Sequence, residues 1–171
     1  TIGSPGVQLA EVHLYGAGEQ LLTVVAITNP GGSSPDGEEP AKAIDAVVDT
    51  GKWLDLGVPP SILRLDVGTA TPVVAYEFVT AGNPIARDPT DWEVTSMSPE
   101  QRPVAELVPG PGEPITLHEV EGHDFKHRYE WAVGRLPGTE VSNVGIRITK
   151  SRGGRDIQLS QVLLLEEVGV V

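Results

Sequence analysis

The sequence has no cysteine. Disulfides, zinc–thiolate sites and thiol nucleophiles are excluded by that alone. A chain of 171 residues can bury a sizeable core without such staples, so the absence leaves the redox compartment open. Basic residues are scarce: 12 Lys and Arg against 24 Asp and Glu leave a net charge of −12. A nucleic-acid backbone needs a basic face and is not an expected partner. The acidity reads as a solvated, self-repelling surface, or as attraction for cations and basic partners. Aromatic residues make up only 5% of the chain, which limits the platforms on which a sugar ring can stack. No apolar run reaches the ~20 residues of a transmembrane helix. No amphipathic helical pattern of about 12 residues is present. No secretory leader pattern is visible; the opening Thr1-Ile2-Gly3, without Met, fits a processed protein or an excised domain. GxSxG, a phosphate-binding loop and a motif-placed carboxylate pair are all missing, and no enzymatic activity is expected.

What the sequence does have is turns. It carries 20 Gly and 15 Pro, scattered between short apolar runs, the composition of many strands and many connections. Residues 6–15 read as a strand whose apolar phase changes midway. Val7 and Leu9 share one face and Val12 and Leu14 the other, which predicts a β-bulge. Residues 21–28 (LLTVVAIT) read as a buried strand, 29–40 as a loop, and 41–49 as one helical turn followed by a tight loop. Strands are predicted at 61–67, 103–107, 125–133 and 141–149. A hairpin-like unit is predicted at 73–94, with two strands flanking the ordered loop 82–89. Residues 156–166 repeat the apolar pattern of 6–16: Ile157, Leu159, Val162 and Leu164 match Val7, Leu9, Val12 and Leu14. That match predicts two neighbouring strands that bring the chain ends together. The expected architecture is a single all-β domain over 1–171, an antiparallel β-sandwich or jelly roll of about eight main strands.

The pieces and their order resemble a known family. They are VQLAEVHLY, then ITNPGGSSPDGEEPAKAIDAVVDTGKWLD, ILRLDVG, VVAYEFVTAGNPIARDPTDWEV, the stretch from Phe125 to Arg128, and VGIRITKSRGGRDIQLSQVLLLE. Together they resemble a discoidin-type (coagulation factor type C-like) domain of the galactose-binding-like superfamily. The resemblance is to the branch that includes the sugar-binding modules of sialidases and peptide N-glycanase. It implies an eight-stranded jelly roll without catalytic activity, which binds glycans, lipid head groups or proteins through loops at one end. It also implies a structural calcium ion, and a location outside the cell or in an organelle lumen.

Carried onto this chain, the resemblance places calcium ligands in the loop from Lys42 to Thr50. Asp45 and Thr50 match ligand positions, carbonyls such as those of Lys42 and Val47 can contribute, and Gln161 stands where the family has an acidic residue. Glu11 and Glu166 are possible substitutes. Read on the residues alone, Asp45 caps a turn. The loop between the two strands of 73–94 offers Asn83, Arg87 and Asp88 as ligand-binding residues. Arg87 could grip a carboxylate or hydroxyl, or could pair locally with Asp88. His123 is the remaining loop-end candidate. His118, His123 and His127 are close in sequence, but their spacing matches no helical metal motif and reads as a loop. Trp53, Trp92 and Trp131 are each expected in the core, Trp131 because alternation pairs it with Tyr129 on a strand with one buried face. Two functions follow. One is binding of a glycan or glycoprotein at the loop end. The other is a structural or accessory role, docking onto other subunits of a larger assembly.

Overall fold

In the computed structural model the described residues are 6–57, 59–82, 84–97 and 114–153. Eight strands follow in chain order: β1 (Val7–Leu9), β2 (Glu11–Gly16), β3 (Ala26–Thr28), β4 (Trp53–Asp55), β5 (Ser61–Val79), β6 (Pro89–Met97), β7 (Ile115–Val120) and β8 (Trp131–Ser151). Helical structure among the described residues is limited to short 3₁₀ turns, one of them at Pro40–Ala43, where the sequence predicts a helical turn. The strands form two antiparallel sheets. One pairs β1 with β4; the other has the order β2-β5-β8-β6-β7, with β3 added beside β5.

β5 and β8 run antiparallel along most of their length, from Ser61 opposite Ile148 to Val79 opposite Trp131. Their neighbours change along the way. β3 and β6 flank the half near Leu65 and Val144, whereas β2 flanks the half near Phe78. Shifts in register between Asp66 and Thr71, and between Val73 and Ala75, interrupt the ladder. Such irregularities increase strand bending and twist. The result brings Tyr76 and Phe78 of β5 against Trp92 of β6. Phe78 and Trp92 meet edge to face at 5.0 Å, and the Trp92 Nε1–H donates to Tyr76 Oη at 2.8 Å. The Tyr76 hydroxyl in turn lies 2.9 Å from His118 Nδ1 on β7. The polar tips of two core aromatics therefore satisfy each other where water cannot reach them. Trp53 is fully buried in the same core, as expected for it and for Trp92.

Several sequence expectations are corrected. The phase change in residues 6–16 is not a bulge within one strand. The chain changes sheets at Ala10, whose N–H bonds to Val79 O at 2.9 Å, so β1 and β2 bury opposite faces against different partners. Residues 21–28 are not a buried strand: Ala26–Thr28 forms β3, Leu21 makes an isolated bridge to Tyr15, and Leu21 and Val25 are 61% and 62% exposed. β5 and β6 do not form a hairpin, because β8 lies between them. The two strands predicted at 61–67 and 73–80 are one, β5. The strand predicted at 125–133 begins at Trp131, and β7 runs into the start of the histidine stretch 118–127 that reads as a loop. The predicted strands at 103–107 and 156–166 lie outside the described residues.

Candidate functional site

The 29–38 loop, the segment leading into β4, the loop leaving β5 and the turn before β8 line a cleft of about 200 Å³, formed by Gly37, Glu38, Asp49, Thr50, Gly51, Lys52, Gly82 and Tyr129. Its walls are built from buried anchors. Asp55, at the end of β4, is buried and accepts hydrogen bonds from Ser33 N (2.9 Å) and Gly57 N (2.8 Å). Burial pushes its carboxyl upward, but these backbone bonds, with the nearby polar side chains of Asn29 and Ser61, outweigh that and hold it below the ordinary Asp value. The 29–38 loop is thereby stitched to β4, and Leu54 N–H adds a bond to Glu38 O at 3.0 Å. At the cleft mouth Lys52 Nζ lies 3.3 Å from Glu38 Oε1.

Opposite stands Tyr129, 40% exposed, with φ of +56°. A bulky side chain in this left-handed region is strained and persists only when its surroundings enforce it. Here Glu130 enforces it. Its carboxylate accepts the N–H groups of Lys126 (2.7 Å) and His127 (2.8 Å), and its own N–H bonds to Thr80 Oγ1 at 3.1 Å. The bond from His127 is the main reason the Glu130 carboxyl sits below its ordinary range. The Tyr129 hydroxyl donates to Asp49 O at 3.1 Å, closing one end of the cleft. Gly82 lets the ring approach: a Cβ there would lie 3.1 Å from Tyr129 Oη.

Arg128 holds the floor. Its guanidinium makes a two-pronged pair with fully buried Asp88, Nη1 to Oδ1 at 2.9 Å and Nη2 to Oδ2, and also donates to Ala81 O and Gly82 O. Bidentate geometry and satisfied carbonyls are what make a charge pair tolerable out of water. The Gln8 side-chain amide adds bonds to Gly82 O (2.7 Å) and Pro84 O (3.1 Å) from below.

The residues singled out from the sequence fall in different places. Asp88 pairs with Arg128 and is part of the scaffold; Arg87 ends the 3₁₀ turn Ile85–Arg87. His123 packs its ring on Phe125 (4.3 Å) and Trp92 (5.3 Å), at the rim of the core. Asn83 and Gln161 lie outside the described residues. Thr50 lines the cleft. Asp45 acts as a turn cap, with Oδ1 accepting Val47 N–H at 3.1 Å, and its Oδ2 pairs with Lys42 Nζ at 3.2 Å. Glu11 Oε2 accepts the N–H of Ala46, itself at φ +61° (3.0 Å). Burial raises the Glu11 carboxyl above its ordinary value, and the negative charge of Asp45 adds to the rise. Among the described residues no cluster of three His, Asp or Glu is placed to hold a metal ion.

Trp131 is not in the core. It is 40% exposed and packs beside His13, ring centroids 5.3 Å apart. The reason lies in the register. Ala132 and Gly134 take the inward positions of β8 opposite Phe78 and Tyr76, and a Cβ at Gly134 would collide with the Tyr76 ring. The alternating small residues in WAVGRL carried that signal, whereas Tyr129 and Arg128 gave none, because the turn that presents them is built by Glu130 and Asp88. No family model matches this chain, and no curated protein matches it.

Proposed function

We propose that this chain is a non-catalytic binding module with a discoidin-like jelly-roll sandwich, and that it takes a glycan or glycoconjugate in the loop-end cleft beside Tyr129. The observation that carries this reading is Tyr129 itself. A half-exposed aromatic ring is held in a strained backbone conformation by a dedicated capping network. It stands over a small polar cleft whose carboxylates, lysine and backbone groups suit hydroxyl recognition. The ordered segment order described above supports the family reading, and with it a site of action outside the cell or in an organelle lumen. A glycan array probed with the wild-type chain and with Tyr129→Ala, each with calcium and with EDTA, tests the reading. Retention of defined glycans by the wild type and their loss in Tyr129→Ala is expected. Failure of the wild type to retain any glycan in either condition defeats it.

A structural calcium ion fits the described residues only in part. The Asp45 carboxylate oxygens and the Val47 carbonyl converge near Gly51, within 3.1–3.5 Å of where a Cβ would stand. The Lys42 ammonium already sits on Asp45. Calcium needs about six to eight oxygens, so the remaining ligands would come from residues such as Gln161. If the ion belongs to the fold, EDTA lowers the melting temperature and Asp45→Ala removes that sensitivity. Identical melts with and without calcium remove it from the proposal.

A further inference from the structure

The outward side of β2, β5 and β8 is ordered in rows. Glu11, Val79 and Trp131 form one row, His13, Glu77 and Val133 the next, and Tyr15, Ala75 and Arg135 the third. The first row is roofed: Val48 packs on Val79, and Ala46 N–H bonds to Glu11. Among the described residues nothing roofs the other two rows. Val133 is 64% exposed, and Trp131 stands beside it at the edge of the roof.

The open rows carry a fixed polar network. Glu77 Oε1 accepts the Tyr15 hydroxyl in a short bond and His13 Nδ1–H at 2.9 Å. A carboxylate only accepts, so the Nδ1 proton of His13 faces Glu77, and Nε2 is turned towards Glu11 Oε1, 3.7 Å away. The hydrogen bond to Glu77, with lesser effects of burial and charge, pushes the Tyr15 phenol up to about 12. His13 in turn braces the Trp131 ring. Solvated sheet faces need none of this order. A face on which Trp, Tyr and Arg side chains are already held has the composition of an interface anchor and loses little freedom on binding.

We propose that this face is a docking surface for a partner protein, and that the segment it receives carries arginine or lysine beside an apolar residue. Charge selects the occupant. Glu77 lies at the centre of the face and Glu19 at its rim, Arg135 is already paired with Glu19 at 2.7 Å, and the whole chain carries −12. A cation entering over Val133 meets the Glu77 carboxylate and the exposed part of the Trp131 indole, which attracts cations through its ring face. The loop-end cleft uses other residues, so this surface can fail while the glycan reading stands, and the reverse.

The test uses the intact chain, isotopically labelled, titrated with a capped hexapeptide of alternating arginine and valine and, separately, with its glutamine–valine counterpart. Amide shifts concentrated at residues 11–15, 75–79 and 131–135 are expected for the arginine peptide, with binding at least about tenfold weaker for the glutamine peptide. Trp131→Ala and Glu77→Gln should each weaken arginine-peptide binding by about tenfold. Val133→Lys leaves the core intact and puts an ammonium opposite Glu77, and should abolish arginine-peptide binding while the chain stays folded. Shifts spread evenly over the acidic surface, shifts centred on Tyr129, or binding that survives Val133→Lys would overturn the proposal.

Discussion

Tyr129 and Trp131 are two residues apart and equally exposed, at 40% each, yet they reach the surface by different physics. Trp131 is outside because of strand periodicity: Ala132 and Gly134 must face inward to make room for Tyr76 and Phe78. Its exposure is a by-product of core packing and costs no strain. Tyr129 is outside because a left-handed backbone puts it there, and that backbone depends on Glu130, Thr80 and the Arg128–Asp88 pair. The sheet face is therefore robust and the loop cleft is conditional. Substitutions should separate the two.

The largest separation is expected from Arg128→Ala. It leaves Asp88 buried without its cation and removes the guanidinium bonds to Ala81 O and Gly82 O, the latter keeping its bond from Gln8. Breaking a buried pair in this way costs about 3–5 kcal/mol, which chemical denaturation would read directly. At temperatures where the variant is still folded, glycan binding should be lost before Trp131 and its neighbours change their amide shifts. A smaller effect of stability against equally large binding loss would show that the pair serves the ligand rather than the fold.

Acid should act on the same side of the comparison. Asp55 has a folded pKa below its unfolded one, so its contribution is fully present above the ordinary Asp value and is lost as pH falls through the lowered value. Melting curves taken downward from pH 5 should lose stability over that range, and Asp55→Asn should flatten the loss. Equal slopes for the two proteins would count against Asp55 as the organiser of the 29–38 loop.

Tyr129→Asn should move stability and function in opposite directions. Asparagine tolerates a positive φ better than a bulky aromatic, so the chain gains up to about 1 kcal/mol while the platform of the cleft disappears. A melt that falls instead would mean that the Tyr129–Asp49 bond outweighs the strain it accompanies. The smallest effect is expected at Glu11→Gln. The folded pKa of Glu11 is raised, so its favourable contribution is complete below the ordinary Glu value and is lost as pH rises through the raised one. Glutamine keeps the acceptor for Ala46 N–H without the charge. A slight rise in melting temperature at pH 7, vanishing near pH 4, is the expected pattern in a pH series.

The sequence carried the core better than the pairing. Trp53, Tyr76, Phe78 and Trp92 sit in short apolar patterns, and all are buried as those patterns imply. The 3₁₀ turn at Pro40–Ala43 follows from Pro at its first position. The sheet order was not legible, because β8 enters between β5 and β6 from far along the chain and local periodicity holds no record of that. The same limit hid the cleft. Asp88 and Arg128 are 40 residues apart, so Asp88 looked like a partner for its neighbour Arg87. The expectation that Trp131 is buried fails because a strand that starts at Phe125 puts Tyr129 in the same alternating run. The chain instead turns at Tyr129 and begins the strand two residues later.

The long β5–β8 ladder has a consequence for how the molecule is assembled in time. Every rung joins residues distant in sequence, and the least distant rung is the one between Val79 and Trp131. Chain closure is least costly at that rung, so zipping is favoured from there toward Ser61 and Ile148. The bonds that fasten this end, between Thr80 and Glu130 and between Arg128 and Asp88, are the ones that shape the cleft. The loops that line the cleft therefore sit at the seed of folding, and sequence change there is constrained by the folding rate as well as by local packing.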